Sequence, residues 1–384
     1  MENSLMQYLQ ELKKNGLDEQ ATVFDRTNEF PLELMKDLSR QGFIRCGFPK
    51  EIGGDGTSFK DHLDVIQELS TSFPTLSSIF LTQSSFAVWP IYHFGTEEQK
   101  ATYLQPLLEG EIWGAFALNE VGSGSQLSEV RTTSVEHSDH WLLNGAKATI
   151  TNAPIAGLFM VASKAKRLDG QEGYGIFILD TKTPGLKIGP ETTEVGLHAL
   201  PVADLEFREV KIPKENILSG NLVNEEQVGM IFNRIRLAIA AQSIGIAKGA
   251  FGYGLKYVTK ERKFGLRLIN LIECQKVLSD VVTDIEAAES FLKNTDMLDY
   301  TATVQIAKVK LFCTKTSIKA TEALVAMTGG YGYTRNNVIE RFSRDAQVTG
   351  LYGGSTDAQK RIISKIWLQS NDTTIEKNDE MGEE

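Results

Sequence analysis

Residues 116–125 read Phe-Ala-Leu-Asn-Glu-Val-Gly-Ser-Gly-Ser, a short apolar run followed by a loop rich in glycine and serine. This stretch lies close to the point where the hydrophobic periodicity of the chain changes from the spacing of helices to that of strands. A glycine-rich loop on its own indicates little about function. Its interpretation therefore depends on the elements that precede and follow it.

The region before this stretch is predicted to be helical. Apolar residues recur at three- and four-residue spacing from residue 4 to about residue 110. Thr96 followed by Gln99 is typical of a helix start, because the threonine hydroxyl caps the free amides while the glutamine reaches back. We interpret residues 1–110 as an N-terminal helical domain.

The region that follows has the two-residue periodicity of strands. Residues 175–179 and 205–210 are strand candidates. Asn144-Gly145 is predicted to form the turn of a hairpin, because this pair supplies the positive φ angles that a two-residue turn demands. We interpret residues 111–222 as a β-barrel or β-sandwich domain.

Long helical patterns return after this domain, over residues 228–258, 268–292 and 301–328. Each is long enough to cross a helical bundle, so residues 223–369 are predicted to form one. Residues 370–384 are acidic and predicted to be a disordered tail. The fold class is therefore α+β, with helices, then strands, then a helical bundle.

The composition argues against several functional classes. The 384 residues carry a formal net charge of −10, which disfavours nucleic-acid binding because that depends on a basic face. No apolar run approaches the roughly 20 residues of a membrane span. The first residues lack the basic and apolar regions of a secretory signal, so the protein is expected to be cytoplasmic. The three widely spaced cysteines fit buried, reduced thiols, and no metal site is expected.

Several further motifs follow residues 116–125 along the chain. They read Leu-Asn-Gly-Ala-Lys over 143–147, Ile-Thr-Asn-Ala over 150–153, Gly-Gly-Tyr-Gly-Tyr-Thr over 329–334 and Glu-Arg-Phe-Ser-Arg-Asp over 340–345. In this order they resemble the acyl-CoA dehydrogenase family, over roughly residues 20–369. The resemblance implies an N-terminal helical domain, a central β-domain and a C-terminal four-helix bundle. It also implies FAD as cofactor and an acyl thioester, carried by CoA or an acyl-carrier protein, as substrate.

The resemblance implies a set of positions that contact FAD. Ser125 and Thr151 offer a hydroxyl or amide to the pyrimidine edge or a phosphate, although a turn serine and a strand threonine explain them as well. Gly329 and Gly330 resemble glycines that let a neighbouring subunit's backbone approach the FAD phosphates, although a helix C-cap also accounts for them. The other implied positions are Asn119, Thr149, Arg262, Gln275, Ser355 and Asp357. A contact between subunits implies a homodimer or homotetramer.

Some flavin positions depart from the family pattern. Thr149 stands where the family has an aromatic residue that packs on the flavin, and Asn119 stands where it has a threonine. Glu261 replaces an arginine, with Arg262 beside it, and Ala326 replaces a glutamine. These replacements leave the tightness of FAD binding open.

The substrate positions implied by the resemblance lie in Phe232-Asn-Arg-Ile-Arg236. Arg236 falls where the family has an arginine that serves the acyl carrier, and Asn233 replaces an aspartate. A fixed cation is a suitable ligand for phosphate or carbonyl groups. An internal salt bridge is the alternative role for Arg236.

Both positions from which the family supplies its catalytic base are changed. Desaturation of an acyl thioester needs a carboxylate over the α-carbon. The first position is Gly353, in a Tyr-Gly-Gly-Ser segment, and the second is Ile235, directly before Arg236. Of the two, Gly353 is the better place to restore a carboxylate, because a glutamate at Ile235 would be buried on an apolar helix face.

Three functions remain open on the sequence alone. The first is an FAD-dependent oxidoreductase that acts on an acyl thioester with a base from another position. The second is a flavin enzyme of the same fold with other chemistry, such as oxygenation or oxidation at a more acidic carbon. The third is a non-catalytic acyl-binding protein.

Overall fold

The computed structural model describes residues 4–122, 127–296, 299–335 and 337–379. The N-terminal helices are α1 Ser4–Lys14, α2 Leu17–Thr27, α3 Leu32–Arg40, α4 Phe59–Ser70, α5 Pro74–Thr82, α6 Trp89–Phe94 and α7 Glu97–Glu109. At the start of α7, Thr96 and Gln99 form the predicted capping box. The predicted helical character of this region is therefore confirmed.

A π-helix, Gln83–Val88, joins α5 to α6 without a break. Its wider turn is seen in the hydrogen bond from the amide of Trp89 to the carbonyl of Ser84, five residues earlier. A π-turn contains one more residue than the corresponding α-turn, so it changes which side chains face the interior. Phe86, in the middle of this segment, faces the junction of the domains.

The central domain is a seven-stranded sheet. Its strands are β1 Gly114–Ala117, β2 Thr133–Glu136, β3 His140–Thr151, β4 Leu158–Lys166, β5 Glu172–Asp180, β6 Leu186–Glu191 and β7 Val202–Pro213. The order is β1-β4-β2-β3-β7-β6, with β5 paired to β4. Its core contains Trp141, Phe159, Phe177 and Phe207.

The predicted hairpin at Asn144-Gly145 is wrong. Strand β3 continues through both residues and pairs along its length with β7, with a register shift between Leu143 and Gly145. Gly145 has φ +144°, and a Cβ there would come within 2.7 Å of the Thr132 hydroxyl oxygen. The unusual backbone that Asn-Gly permits is therefore used for a β-bulge instead of a turn.

The C-terminal helices form a bundle. They are α8 Glu225–Thr259, α9 Ile272–Lys293, α10 Thr303–Thr328, α11 Val338–Thr349 and α12 Thr356–Asp379. Helix α4 packs closely on α8 at Gly245. A Cβ at this glycine would lie 2.2 Å from the carbonyl oxygen of Gln67, so a side chain there would force the helices apart. The fold class, with helical outer domains and a central β-domain, is confirmed.

The backbone of α12 is helical to Asp379, whereas the sequence predicts disorder from residue 370. No glycine or proline interrupts residues 370–379, so the helix can continue although Ser, Asn, Asp and Thr, which favour helices only weakly, are frequent there. Among the described residues, no helix is long and apolar enough to cross a membrane.

A buried cluster of charged residues joins the three domains. Arg344 of α11 binds both carboxylate oxygens of Asp25 in α2, at 2.8 and 2.9 Å. Asp345 accepts a hydrogen bond from the amide of Leu197, which precedes β7, at 2.6 Å. His198 lies next to Asp25, with 3.2 Å between Nδ1 and Oδ1. The β-domain is therefore fixed against both helical domains at this point.

Candidate active site

A small cavity of about 60 Å³ lies where the three domains meet. Its walls come from α5, the π-helix, β1, β3, α8 and the turn before α12. The lining residues are Thr82, Phe86, Phe116, Leu118, Asn119, Thr149, Ile150, Thr151, Phe232, Tyr352 and Gly353. We call it the junction cavity. It brings together Asn119, Thr149, Thr151, Phe232 and Gly353, which the sequence singles out from four separate segments.

The β-domain wall of the junction cavity is polar. Thr149 lies at an irregularity of β3, has φ +52° and is exposed. Its amide donates to Oδ1 of Asp204 at 2.8 Å. The carbonyl of Asn119 accepts a hydrogen bond from the amide of Ala148 at 2.9 Å. The first bond ties β3 to β7 and the second ties β3 to the end of β1, with Thr151 half-buried beside them.

Of the two positions where the family pattern has its base, Gly353 lines the opposite wall and Ile235 lies next to it behind the lining. A Cβ at Gly353 would lie 3.7 Å from Cγ2 of Ile235 and 2.4 Å from Cδ1 of Ile239. Ile235 and Ile239 are one turn apart on α8 and fully buried. Two branched aliphatic side chains thus occupy the space beside Gly353. No described residue that lines the junction cavity carries a carboxylate, imidazole or amine.

Three phenylalanine rings enclose one end of the cavity. The rings of Phe86 and Phe116 are stacked, with centroids 5.0 Å apart and an interplanar angle of 19°. Phe232 meets both of them edge-on, at 5.4 and 6.1 Å. Aromatic pairs at these distances and angles attract each other beyond their burial. The three rings therefore act as one packed unit.

Arg236 borders the cavity from α8 and is 7% exposed. Its Nη1 donates to Oδ1 of Asn233 at 2.7 Å, and its Nε donates to the carbonyl of Gly353 at 3.3 Å. No carboxylate of the described residues lies within ion-pairing distance, so the salt-bridge alternative finds no support there. Burial lowers the pKa of Arg236 to about 10, which leaves it charged at neutral pH.

A second buried basic side chain lies beyond the same turn. Lys310 of α10 is fully buried, and its Nζ donates to the carbonyl of Gly354 at 2.7 Å. Burial, and then the nearby charge of Arg236, lower its pKa to about 7. The turn that contains Gly353 and Gly354 is thus held through its carbonyl groups by two buried basic side chains.

Asn233 and Tyr352 have structural partners that orient this wall. The side-chain amide of Asn233 donates to the carbonyl of Tyr300 at 2.6 Å and to the hydroxyl of Thr303 at 2.8 Å. The Tyr352 hydroxyl hydrogen-bonds the buried side chain of Gln242, and burial raises the pKa of this phenol. Asn233 therefore positions Arg236 and has its own polar atoms directed into the bundle.

A second cleft, of about 150 Å³, lies beside the junction cavity. Phe232 lines both spaces, and Arg236 and Lys365 line the cleft on the bundle side. Leu127 and Ser128 form its β-domain side. We call it the outer cleft.

The remaining predicted cofactor positions lie away from the junction cavity. Arg262 lies over the ring of Tyr257, which stacks on Tyr331 beside Gly329 and Gly330. A Cβ at either glycine would meet no atom within 4 Å. These residues thus form one exposed surface, on a different part of the chain from the cavity.

Three other predicted positions have local partners, and one is not described. Gln275 donates to the carbonyl of Ile269 at 2.9 Å. The Ser355 hydroxyl accepts from the amide of Ala358 at 3.2 Å, which caps α12. Asp357 is exposed and pairs with Lys360 at 2.8 Å. Ser125 lies outside the described residues.

Family models match almost the whole chain. The N-terminal domain of acyl-CoA dehydrogenase matches residues 2–111, the middle domain matches 115–210 and the C-terminal domain matches 226–368. The chain belongs to the acyl-CoA dehydrogenase family. It is therefore an oxidoreductase of the acyl-CoA dehydrogenase type, a class that uses FAD and acts on acyl thioesters.

Individual relatives agree with this assignment. The short-chain specific acyl-CoA dehydrogenase of Clostridium acetobutylicum is 31% identical, over 93% of this chain and 95% of the relative. The CarC subunit of the caffeyl-CoA reductase–Etf complex of Acetobacterium woodii is 31% identical, over 94% of each chain. The structure of butyryl-CoA dehydrogenase from Megasphaera elsdenii has a TM-score of 0.89 at 28% identity, over 96% of this chain and 99% of that one.

The residues around the junction cavity are chemically suited to FAD. Asn119, Thr149 and Thr151 offer hydroxyl, amide and carbonyl groups that can pair with the edge of a flavin ring. The phenylalanine rings opposite offer an apolar face. No described lining residue carries a negative charge that would repel a reduced flavin.

Sequence reasoning missed several residues of this site. Ile239 lies four residues after Ile235, so helical spacing alone would have placed it on the same face of α8. Lys310 follows the same helical pattern as its apolar neighbours, and nothing in the sequence marks it as buried. Phe86 lies in a π-turn, which helical periodicity does not predict.

Proposed function

We propose that this chain is an FAD-dependent oxidoreductase that holds an acyl thioester in the junction cavity without a carboxylate base from position 235 or 353. The observation that carries the proposal is the composition of the cavity. Residues implied for the flavin and for the substrate meet there, whereas Ile235 and Ile239 pack where a base would stand. Bound FAD would exchange hydride with the β-carbon of the acyl group.

The chain itself would bind and orient the substrate. Arg236 offers a buried cation at the border between the junction cavity and the outer cleft, where the carrier arm of a thioester would lie. The outer cleft suits the pantetheine arm that CoA and acyl-carrier proteins share. Because no described lining residue carries a carboxylate, imidazole or amine, the α-proton would pass to water while the hydride passes to the flavin.

The lack of a positioned base has a measurable consequence. General base catalysis typically contributes a factor of about 10²–10⁴ to rate. We therefore expect the protein to bind acyl thioesters, yet to desaturate simple saturated ones slowly. Substrates with a more acidic α-carbon would depend less on a base.

An oligomer is part of the same proposal. Phe264, Leu266, Tyr331 and Tyr333 are 96%, 66%, 57% and 85% exposed in the single chain. Large exposed apolar side chains that lie close together are typical of protein interfaces. The surface that contains Gly329 and Gly330 would then meet a second subunit.

The absorption spectrum of the purified protein tests the proposed function. We expect a yellow protein whose flavin bands shift on addition of an acyl thioester and bleach slowly. A yellow protein that ignores thioesters and is reduced by dithionite alone would support a flavin enzyme with other chemistry. A colourless protein that cannot be reconstituted with FAD would support a non-catalytic binding protein. Either of the last two results contradicts the proposal.

A further inference from the structure

We propose that Tyr300 and Arg234 are positioning residues that hold Arg236 in the orientation that binds an acyl thioester. The inference rests on the proposed function, because it assigns Arg236 to the thioester. Neither Tyr300 nor Arg234 lines the junction cavity or the outer cleft. The proposal therefore adds two residues behind the binding surface, one of them in the segment that precedes α10.

Tyr300 contacts α8 through two different groups. It lies just before α10 and is 8% exposed. Its hydroxyl accepts a hydrogen bond from Nη1 of Arg234 at 2.6 Å. Its carbonyl accepts a hydrogen bond from the side-chain amide of Asn233 at 2.6 Å. Tyr300 therefore binds the side chains of two consecutive, buried residues of α8.

Asn233 connects Tyr300 to Arg236. Its amide nitrogen has two acceptors, the carbonyl of Tyr300 and the hydroxyl of Thr303. This arrangement directs the amide oxygen toward Arg236, whose Nη1 donates to it at 2.7 Å. An aspartate at this position could not donate to either acceptor. The asparagine thus ties one end of the Arg236 guanidinium to the segment before α10.

Arg234 is enclosed by aromatic rings of the N-terminal domain. Its Cζ lies 3.9 Å from the centroid of the Phe59 ring, and 5.2 and 5.7 Å from the centroids of Phe48 and Trp89. Such rings attract a guanidinium through cation–π contacts. Its Nε and Nη2 have no hydrogen-bond partner among the described residues. The rings therefore hold the guanidinium in place, and its hydrogen bond goes to Tyr300.

Packing alone does not account for an arginine at this position. Arg234 is 2% exposed, and no carboxylate in the described part of the chain pairs with it. Burying an ion without a charged partner is costly. Apolar side chains of similar volume often replace buried ionic groups without loss of stability. What the arginine provides and a methionine would lack is a donor that fixes the Tyr300 hydroxyl.

The test measures binding of butyryl-CoA to the FAD-loaded protein by calorimetry, and stability by unfolding in urea. Arg234→Met keeps most of the volume and removes the donor. Tyr300→Phe keeps the ring and the carbonyl and removes the hydroxyl alone. We expect each variant to bind butyryl-CoA about three- to tenfold more weakly, because Arg236 must then be ordered on binding. Arg234→Met should unfold at the same urea concentration as the wild type or at a higher one. A purely structural role predicts the reverse, which is lower stability with unchanged affinity.

A double-mutant cycle shows whether Tyr300 acts through Arg236. In an Arg236→Ala background, Tyr300→Phe should weaken binding by less than about twofold, because the group that it positions is already absent. Tyr8→Phe is the matched control, since it removes a half-buried hydroxyl that donates to Asp37 within the N-terminal domain. It should leave the affinity unchanged in both backgrounds.

Three results would contradict the inference. Unchanged affinity in folded Arg234→Met and Tyr300→Phe would overturn the positioning role and leave the proposed function intact. Equal losses from Tyr300→Phe with and without Arg236 would also overturn it, because the hydroxyl would then act by another route. A flavin-loaded wild type that does not bind butyryl-CoA would overturn both the proposed function and this inference.

Discussion

Arg236 donates a hydrogen bond from Nε to the carbonyl oxygen of Gly353, at 3.3 Å. The bond joins α8 to the turn before α12, so the two helices that face the substrate side of the cavity are connected through one buried cation. Arg236 has Asn233 and Gly353 as hydrogen-bond partners, and no carboxylate among the described residues pairs with its charge.

We expect Arg236→Ala to weaken acyl-thioester binding and to leave FAD content unchanged. A hydrogen bond to a charged group is worth about 1.5–3 kcal/mol, so the affinity should fall by at least about tenfold. Calorimetry with an acyl-CoA measures the effect. Arg208→Ala, which removes an exposed arginine of β7, is the control. Unchanged affinity in a folded Arg236→Ala protein would restrict Arg236 to holding the turn.

Restoring a carboxylate should speed up reduction of the flavin by a saturated acyl-CoA. The sequence favours Gly353 for this change, but Gly353 has φ +64° and Ile239 occupies the Cβ position. We therefore expect Gly353→Glu combined with Ile239→Ala to exceed either Gly353→Glu or Ile235→Glu alone. The gain over wild type should approach about 10²-fold in stopped-flow bleaching.

The control is Gly353→Gln combined with Ile239→Ala. Glutamine has the shape of glutamate but cannot act as a base, so this variant changes the cavity without restoring proton transfer. An equal gain in that variant would show that space, and not proton transfer, limits the reaction. Fast bleaching of the wild type itself would show that a base exists elsewhere.

The stability of the β-domain should depend on pH through Glu120. Its Oε1 lies 2.7 Å from Nζ of buried Lys147. Burial raises the pKa of Glu120, but hydrogen bonds from Lys147 and Thr132 outweigh it and hold the pKa at about 2. The ordinary pKa of a glutamate side chain is 4.5. Because the folded-state pKa is the lower one, the carboxylate stabilises the fold above pH 4.5, and this contribution is lost as the pH falls toward 2.

Glu120→Gln leaves Lys147 buried without its charged partner. We expect the free energy of unfolding in urea to drop by about 3–5 kcal/mol at pH 7. At pH 3 the difference in free energy of unfolding between wild type and Glu120→Gln should be smaller by roughly 2 kcal/mol than at pH 7. Glu172→Gln is the control, because Glu172 pairs with Lys166 on the exposed surface. It should change the free energy of unfolding by less than about 1 kcal/mol at either pH. A gap that stays constant with pH would mean that Glu120 is not the titrating group.

The protein should sediment as a dimer or tetramer at micromolar concentration. Phe264 is 96% exposed in the single chain, so Phe264→Ser should shift the sedimentation coefficient toward that of a monomer. Leu168→Ser, at an exposed turn of the β-domain, should not. A wild-type monomer would contradict the expected role of Gly329 and Gly330 at a subunit contact.

The sequence predicts the order of domains well because helical and strand periodicities differ clearly. The capping box of Thr96 and Gln99 depends on residues three apart, and the structure contains it. The sequence wrongly predicts a turn at Asn144-Gly145, because positive φ angles occur in β-bulges as well as in turns. Whether the pair ends a strand depends on β7, which contacts β3 from more than 50 residues away.

The candidate site was predictable as a set of residue types, but not as a shape. Gly353 and Ile235 could be identified by their neighbours in the sequence. The distance between these two residues depends on how the bundle packs. So does the contact of the Ile239 side chain with the turn at Gly353. The pairing of Phe86 with Phe116 joins two domains, and no local pattern encodes it.

The π-helix has a consequence for how such a cavity can evolve. A π-turn differs from an α-turn by a single inserted residue. Deleting one residue between Gln83 and Val88 would restore regular α-helical bonding and rotate one flank relative to the other by about 100°. The Phe86 side chain would then point in a different direction, although no remaining residue had been substituted. In this lineage, a one-codon deletion could therefore reshape the acyl site more than most point mutations.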